Sequence, residues 1–186
     1  MNIYLAGKIE KECWRHGIVS DLRESFNPSQ NGEWTILVNH IGGEHNYTGP
    51  FFISCDHGCY HRQSSHGCGA TDDRESFVCN GEYYEQFQSR KNVVSLCLKA
   101  IERSDLIFAW IDTNDCYGTM FELSYALAKK KTIVLSTPHG FSKGNEDMWF
   151  LFSAIDIENT IICADSPIKA FEKVINLIDL KEIQAI

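Results

Sequence analysis

At 186 residues with a formal net charge of −8, the chain is sized for one domain and is too acidic for long-lived contact with long nucleic acid, which needs clustered Lys and Arg to displace counterions. Hydrophobic residues make up 44% and charged residues 23%, ordinary globular values that exclude a largely disordered chain. No apolar run approaches bilayer length, and Met1-Asn2-Ile3-Tyr4-Leu5-Ala6-Gly7 has no basic region ahead of its short apolar segment, so neither a membrane partner nor export is expected. The eight cysteines then read as thiols or metal ligands, and the expected compartment is the cytoplasm.

In chain order, Ile3 to Ala6 is a short apolar run closed by Gly7, the pattern of a buried parallel strand. Trp14, Ile18, Leu22 and Phe26 recur every four residues and predict a helix over Glu12 to Ser25, stopped by Asn27-Pro28. Trp34 to Val38 is a second strand candidate. From His40 to about Glu82 no period of either kind persists, and a stretch of that length inside a compact domain reads as a functional insertion or a poorly ordered loop.

Periodicity returns in a predicted helix over Asn92 to Arg103, followed by a strong central strand over Leu106 to Ile111. A helix over Gly118 to Lys130, a strand over Thr132 to Leu135 and a last strand over Thr160 to Cys163 come next. Ser166-Pro167 supplies a capping hydroxyl and a first-turn proline to a final helix that buries Ile168, Phe171, Ile175 and Ile178. Strands alternating with helices predict a single α/β domain over 1–186, a parallel sheet of about five strands with helices on both faces, carrying a Cys/His-rich insertion over about 40–85.

In open α/β sheets ligands sit beyond the carboxyl ends of the strands, which draws attention to Asp112, Asn114 and Asp115 after Ile111. Tyr117-Gly118-Thr119-Met120-Phe121-Glu122 then turns at a residue without a side chain and puts Glu122 in the first turn or so of the next helix. There the helix's partial positive charge favours an ionised carboxylate, better suited to nucleophilic attack than to proton donation. Its neighbours Met120, Phe121, Leu123, Ala126 and Leu127 are apolar, so a carboxylate among them needs a reason.

Three segments carry a resemblance: Ile3 to Gly7, Ala100-Ile101-Glu102-Arg103-Ser104-Asp105, and Asp115-Cys116-Tyr117-Gly118-Thr119-Met120-Phe121-Glu122-Leu123-Ser124-Tyr125-Ala126. Together they resemble the nucleoside 2-deoxyribosyltransferase-like family. The resemblance implies a Rossmann-like or flavodoxin-like fold, with Glu122 attacking the anomeric carbon of a nucleoside or nucleotide to form a glycosyl-enzyme. Asp115, or alternatively Asp112, would help bind the substrate or protonate the leaving base, as the acid does in a retaining glycosidase.

Gly7, Lys8, Tyr117, Gly118 and Thr119 are the substrate-binding candidates, with backbone N–H groups near Gly7 and Lys8 able to hold a phosphate and Phe51 able to face a nucleobase. The chemistry requires no cofactor, and the family implies a homo-oligomer. Asn92 to Ala100 contains no carboxylate where deoxyribose-transferring relatives commonly hold a base-contacting aspartate, and Cys97 lies near that point. Transfer to a base and transfer to water both stay open. So do an NAD-type glycohydrolase and a nucleotide-binding sensor domain without turnover.

Cys55, His57, Cys59 and His61 alternate, and His66 and Cys68 repeat the theme. Four of these six could close a tetrahedral, structural zinc site, while the same residues also read as a pocket lining or as an incidental loop. Under the zinc reading the purified protein carries about one zinc per chain, and Cys55→Ser with Cys59→Ser loses it. Elemental analysis checks this, and metal-free protein of full stability rejects it.

Overall fold

The computed structural model describes residues 1–9, 13–19, 26–28, 34–36, 41, 45–50, 76–79, 82–85, 90–141, 146–157 and 159–180. In chain order the elements are β1 Asn2–Gly7, α1 Arg15–Ile18, β2 Phe26–Pro28, β3 Trp34–Ile36, β4 Asn46–Gly49, β5 Ser76–Cys79, β6 Glu82–Glu85, α2 Arg90–Arg103, β7 Leu106–Trp110, α3 Tyr117–Ala128, β8 Thr132–Thr137, a 3₁₀ turn Glu146–Met148, α4 Trp149–Asp156, β9 Thr160–Cys163 and α5 Pro167–Asp179. They fall into two compact units, Met1–Lys8 with Ile101–Ile186, and Ile9–Ala100.

The first unit holds the parallel sheet and the helices of an α/β fold. Its strands run side by side in the order β1, β7, β8, β9, all parallel. In register, Leu5 stands beside Phe108, and Phe108 beside Val134. Every residue of β7 is buried, as the apolar sequence Leu-Ile-Phe-Ala-Trp requires of a strand covered on both faces. Each fully buried Leu, Ile or Phe here contributes about 1.5–3 kcal/mol of transfer free energy.

Alternation along the strands assigns the helices to opposite faces. Phe108 meets Phe171 of α5 edge-on, with ring centroids 5.2 Å apart. Tyr4, one residue before Phe108's register partner Leu5, points the other way and bonds to α3. α5 and α3 therefore cover the two faces.

Two helix ends show how local sequence sets the boundaries. The Ser166 hydroxyl accepts the Lys169 N–H at 3.3 Å and Pro167 occupies the first turn, as its sequence predicts. At the end of α3, Lys131 N–H donates to the Ala126 carbonyl at 3.0 Å and Lys130 N–H to Leu127 at 2.9 Å, the paired bonds of a Schellman motif. That motif puts Lys130 at φ 55°, a conformation that suits glycine. The Lys129–Lys131 run also does more than offset the dipole of α3. Lys129 pairs with Glu102 at 2.7 Å, and Lys131 Nζ donates to the carbonyls of Glu102 and Ser104, closing the carboxyl end of α2.

In the second unit β2 and β3 pair antiparallel, with Phe26 opposite Ile36, and β5 and β6 form a hairpin in which Cys79 faces Glu82. The Arg15 side chain is fully buried, its Nη1 donating to Cys13 Sγ at 3.1 Å and its guanidinium carbon 4.5 Å from the Trp14 ring centroid. Tyr47 is buried and donates its hydroxyl to the Pro50 carbonyl at 2.7 Å.

Within the helix predicted over Glu12 to Ser25 the described residues form a helix only over Arg15–Ile18, closed by Val19 in an extended conformation, and 20–25 lie outside the described residues. Gly17, Ile18 and Val19 are weak helix formers, and the four-residue apolar spacing does not overcome them. Asn27-Pro28, read as a stop signal, belongs to β2. The stretch from His40 to Glu82 contains β4 and β5; most of its other residues lie outside the described ones. Among the described residues no helix is long and apolar enough to cross a membrane.

The left-handed lysine sets a stability test. Lys130→Gly relieves the Cβ clash of that conformation and stabilises the protein by about 0.5–1 kcal/mol, less any added unfolded-chain entropy. Urea denaturation of the variant beside the wild type measures it.

Candidate functional site

The candidate residues gather where β1 and β7 end. Gly7 closes β1 with φ 154°, a backbone conformation that side chains other than hydrogen rarely allow, so it is a structural requirement of this strand end whatever else it does. Lys8 follows, and its Nζ reaches both oxygens of Asp115, at 2.8 and 2.7 Å. Asp115 also accepts the Thr113 hydroxyl.

These donors hold the Asp115 carboxyl below the usual carboxylate range, the Lys8 ammonium contributing most and Thr113 next. Asp115 is thus an anion committed to an ion pair rather than a carboxylic acid ready to give a proton. Asp112 is exposed and accepts the indole N–H of the buried Trp110 at 3.0 Å. Asn114 donates to Asp147 of the 3₁₀ turn at 3.2 Å. The loop from β7 to α3 is braced from β1, from its own strand and from the segment ahead of α4.

Glu122 sits in the second turn of α3, not the first, because the helix begins at Tyr117. The macrodipole fades within the first turn, so it is not what readies this carboxylate. What holds Glu122 is Tyr4, a residue with no exposure whose hydroxyl donates to Glu122 Oε1 across the gap between strand and helix. A buried phenol needs an acceptor, and this one fixes the orientation of the carboxylate.

The other predicted residues of this region are divided by exposure. Tyr117 is 74% exposed, while Thr119 faces inward and is 4% exposed. Gly118 is exposed, and a Cβ built there meets no atom within 4 Å, so the fold itself does not demand glycine at this point. Cys116, which immediately precedes α3, makes no capping hydrogen bond through its side chain. Burial pushes its thiol up, which makes it a poor nucleophile.

His139, after β8, stands 3.7 Å from Asp165. Phe51 and the six cluster residues Cys55, His57, Cys59, His61, His66 and Cys68 lie outside the described residues. Among the described residues no group of three or more His, Cys, Asp and Glu is placed to hold a metal. Tyr4, Thr113, Trp110 and Asp147 were not singled out as sequence candidates. Tyr4 alone carried a signal, a hydroxyl within an otherwise apolar strand.

No family model and no curated protein matches the chain. A solved structure, the crystal structure of a conserved protein from Enterococcus faecalis V583, is 14% identical to it, with 95% of this chain and 98% of that one covered and a TM-score of 0.49. A likeness at that level says nothing of chemistry.

The Lys8–Asp115 pair titrates in a set direction. Because the folded Asp115 is depressed below its ordinary 3.8, its contribution to stability is present above that pH and is lost as pH falls through the lower folded value. Carbon-detected NMR should give Asp115 a midpoint below 3.8, and Lys8→Met should move it upward. An unchanged midpoint in Lys8→Met would show that the pair does not persist in solution.

Proposed function

We propose that the protein cleaves the N-glycosidic bond of a nucleoside or nucleotide with Glu122 as nucleophile, passing the sugar to water or to another base. The observation that carries the reading is the bond from the buried Tyr4 hydroxyl to Glu122 Oε1. Nucleophilic catalysis at a sugar needs a carboxylate held still beneath the anomeric carbon, since a freely rotating one would sacrifice orientation at each turnover. Tyr4 supplies that restraint from the most buried part of the sheet.

In the first step a Glu122 oxygen bonds to C1′ as the C1′–N bond breaks, and the electron pair leaves with the base. Water or a second base then displaces Glu122. Asp112 and Asp115 flank the approach from the loop before α3 and are suited to accept hydrogen bonds from sugar hydroxyls. The resemblance of the Asp115 to Ala126 segment to nucleoside 2-deoxyribosyltransferases supports the same assignment of Glu122.

The same residues without turnover would serve a nucleotide-binding sensor, and mutation separates the two. Glu122→Gln keeps shape and accepts the Tyr4 hydrogen, so ligand binding persists while base release falls on the order of 10³-fold or more. Tyr4→Phe removes a hydrogen bond to a carboxylate, worth about 1.5–3 kcal/mol, and slows release roughly tenfold to a hundredfold. Base release is followed by chromatography over a panel of nucleosides, nucleoside monophosphates and NAD. Normal turnover in Glu122→Gln rejects the mechanism, and binding without turnover by the wild type establishes the sensor.

A further inference from the structure

We propose that the preferred substrates are nucleosides whose base already bears a positive charge, such as a pyridinium or an N-alkylated purine. This rests on the reading of Glu122 as nucleophile. A neutral base leaves as an anion unless something protonates it, whereas a cationic base leaves neutral and needs no acid.

The two carboxylates of the loop before α3 are poorly arranged to donate a proton. Asp115 is engaged by Lys8 through both oxygens, and Thr113 adds a third donor. Asp112 accepts from the Trp110 indole. With three donors around it, Asp115 works as an anion, and its proton is held less tightly than a general acid requires.

The charge around the strand ends agrees. Asp112, Asp115 and Glu122 are joined through the Asn114–Asp147 bond by the acidic 3₁₀ turn of Glu146 and Asp147, while Lys8 is already paired. Such a surface concentrates cations and repels anions. Tyr117 and Phe121, 74% and 57% exposed, stand one turn apart on the helix that carries Glu122. Their ring faces attract a flat cation as well as stack on it.

The step balances without a co-reactant other than water. Glu122 forms an ester to C1′, the C1′–N bond breaks, and its electron pair cancels the charge on the base nitrogen. Water then cleaves the ester, leaving free sugar, ionised Glu122 and one released proton.

The probes are nicotinamide riboside against its uncharged 1,4-dihydro form, and 7-methylguanosine against guanosine, each also as the 2′-deoxy compound. On Glu122→Gln protein, calorimetry at low salt should find the cation bound at least about tenfold more tightly than its neutral partner, with the gap narrowing as salt rises. Tyr117→Leu with Phe121→Leu should shrink that gap, and turnover of nicotinamide riboside, whose charge does not titrate, should show no loss of rate in the wild type as pH rises from 5 to 8. Equal or tighter binding of the neutral compounds, or an acid-limited pH profile, overturns the inference while leaving Glu122 as nucleophile. Full activity of Glu122→Gln overturns both, as does failure of all the probes to bind.

Discussion

A phenolic hydroxyl sealed away from water must give its hydrogen to an acceptor, or the fold carries the cost of an unsatisfied polar group, about 1–3 kcal/mol. Tyr4 lies in a strand whose neighbours Ile3, Leu5 and Ala6 are all without exposure, so little else near it in sequence can serve. The acceptor arrives from a residue 118 positions away, on α3. The requirement runs in both directions: Glu122 on an apolar stretch of helix needs a donor, and Tyr4 needs an acceptor. The bond agrees with the rotation that burial of Thr119, Leu123 and Ala126 gives α3 on the sheet. Leu123 and Ala126 go to the core, while Tyr117 and Phe121 remain in water.

The loop ahead of α3 is built with the same economy of partners. Its two carboxylates each meet donors, Asp112 from Trp110 and Asp115 from Lys8 and Thr113, and its Asn114 donates to Asp147 of the 3₁₀ turn. Like charges brought close would repel, and each donor lowers that repulsion locally. The result is an acidic rim whose side chains are each held by a neighbour.

How much of this could be read from the chain follows from what each signal depends on. β7, α3, β8, β9 and α5 were legible because their apolar runs or caps are local, as Ser166-Pro167 shows. α4 was missed since Trp149-Phe150-Leu151-Phe152 is apolar throughout and hides its period, with Trp149 and Phe150 outside and Phe152 inside. The hairpin of β5 and β6 had a signal that went unread: Asn80-Gly81 stands between Cys79 and Glu82, the two-residue pair that favours tight turns. At the site, the placement of Glu122 near the start of a helix was legible, but it lies in the second turn whether the helix is started at Gly118 or at Tyr117. The Tyr4–Glu122 and Lys8–Asp115 pairs each join residues more than 100 positions apart, and no local pattern encodes such a meeting.

That separation has a kinetic meaning. β1 pairs Leu5 with Phe108, and the Asn2 amide donates to Asp105 at 2.7 Å across 103 positions, whereas β7, β8 and β9 follow one another along a contiguous stretch. Closing a chain segment of that length costs about 4 kcal/mol of loop entropy, compared with about 3 kcal/mol for the closures of β7 on β8 and β8 on β9. The order of assembly is therefore weighted toward the carboxyl-terminal half first, with the amino-terminal strand seated last. Synthesis delivers β1 about a hundred residues before β7, so the strand waits for that partner. The Tyr4–Glu122 bond is then among the last parts of the molecule to form, since it waits for the first strand to meet a helix 118 positions away.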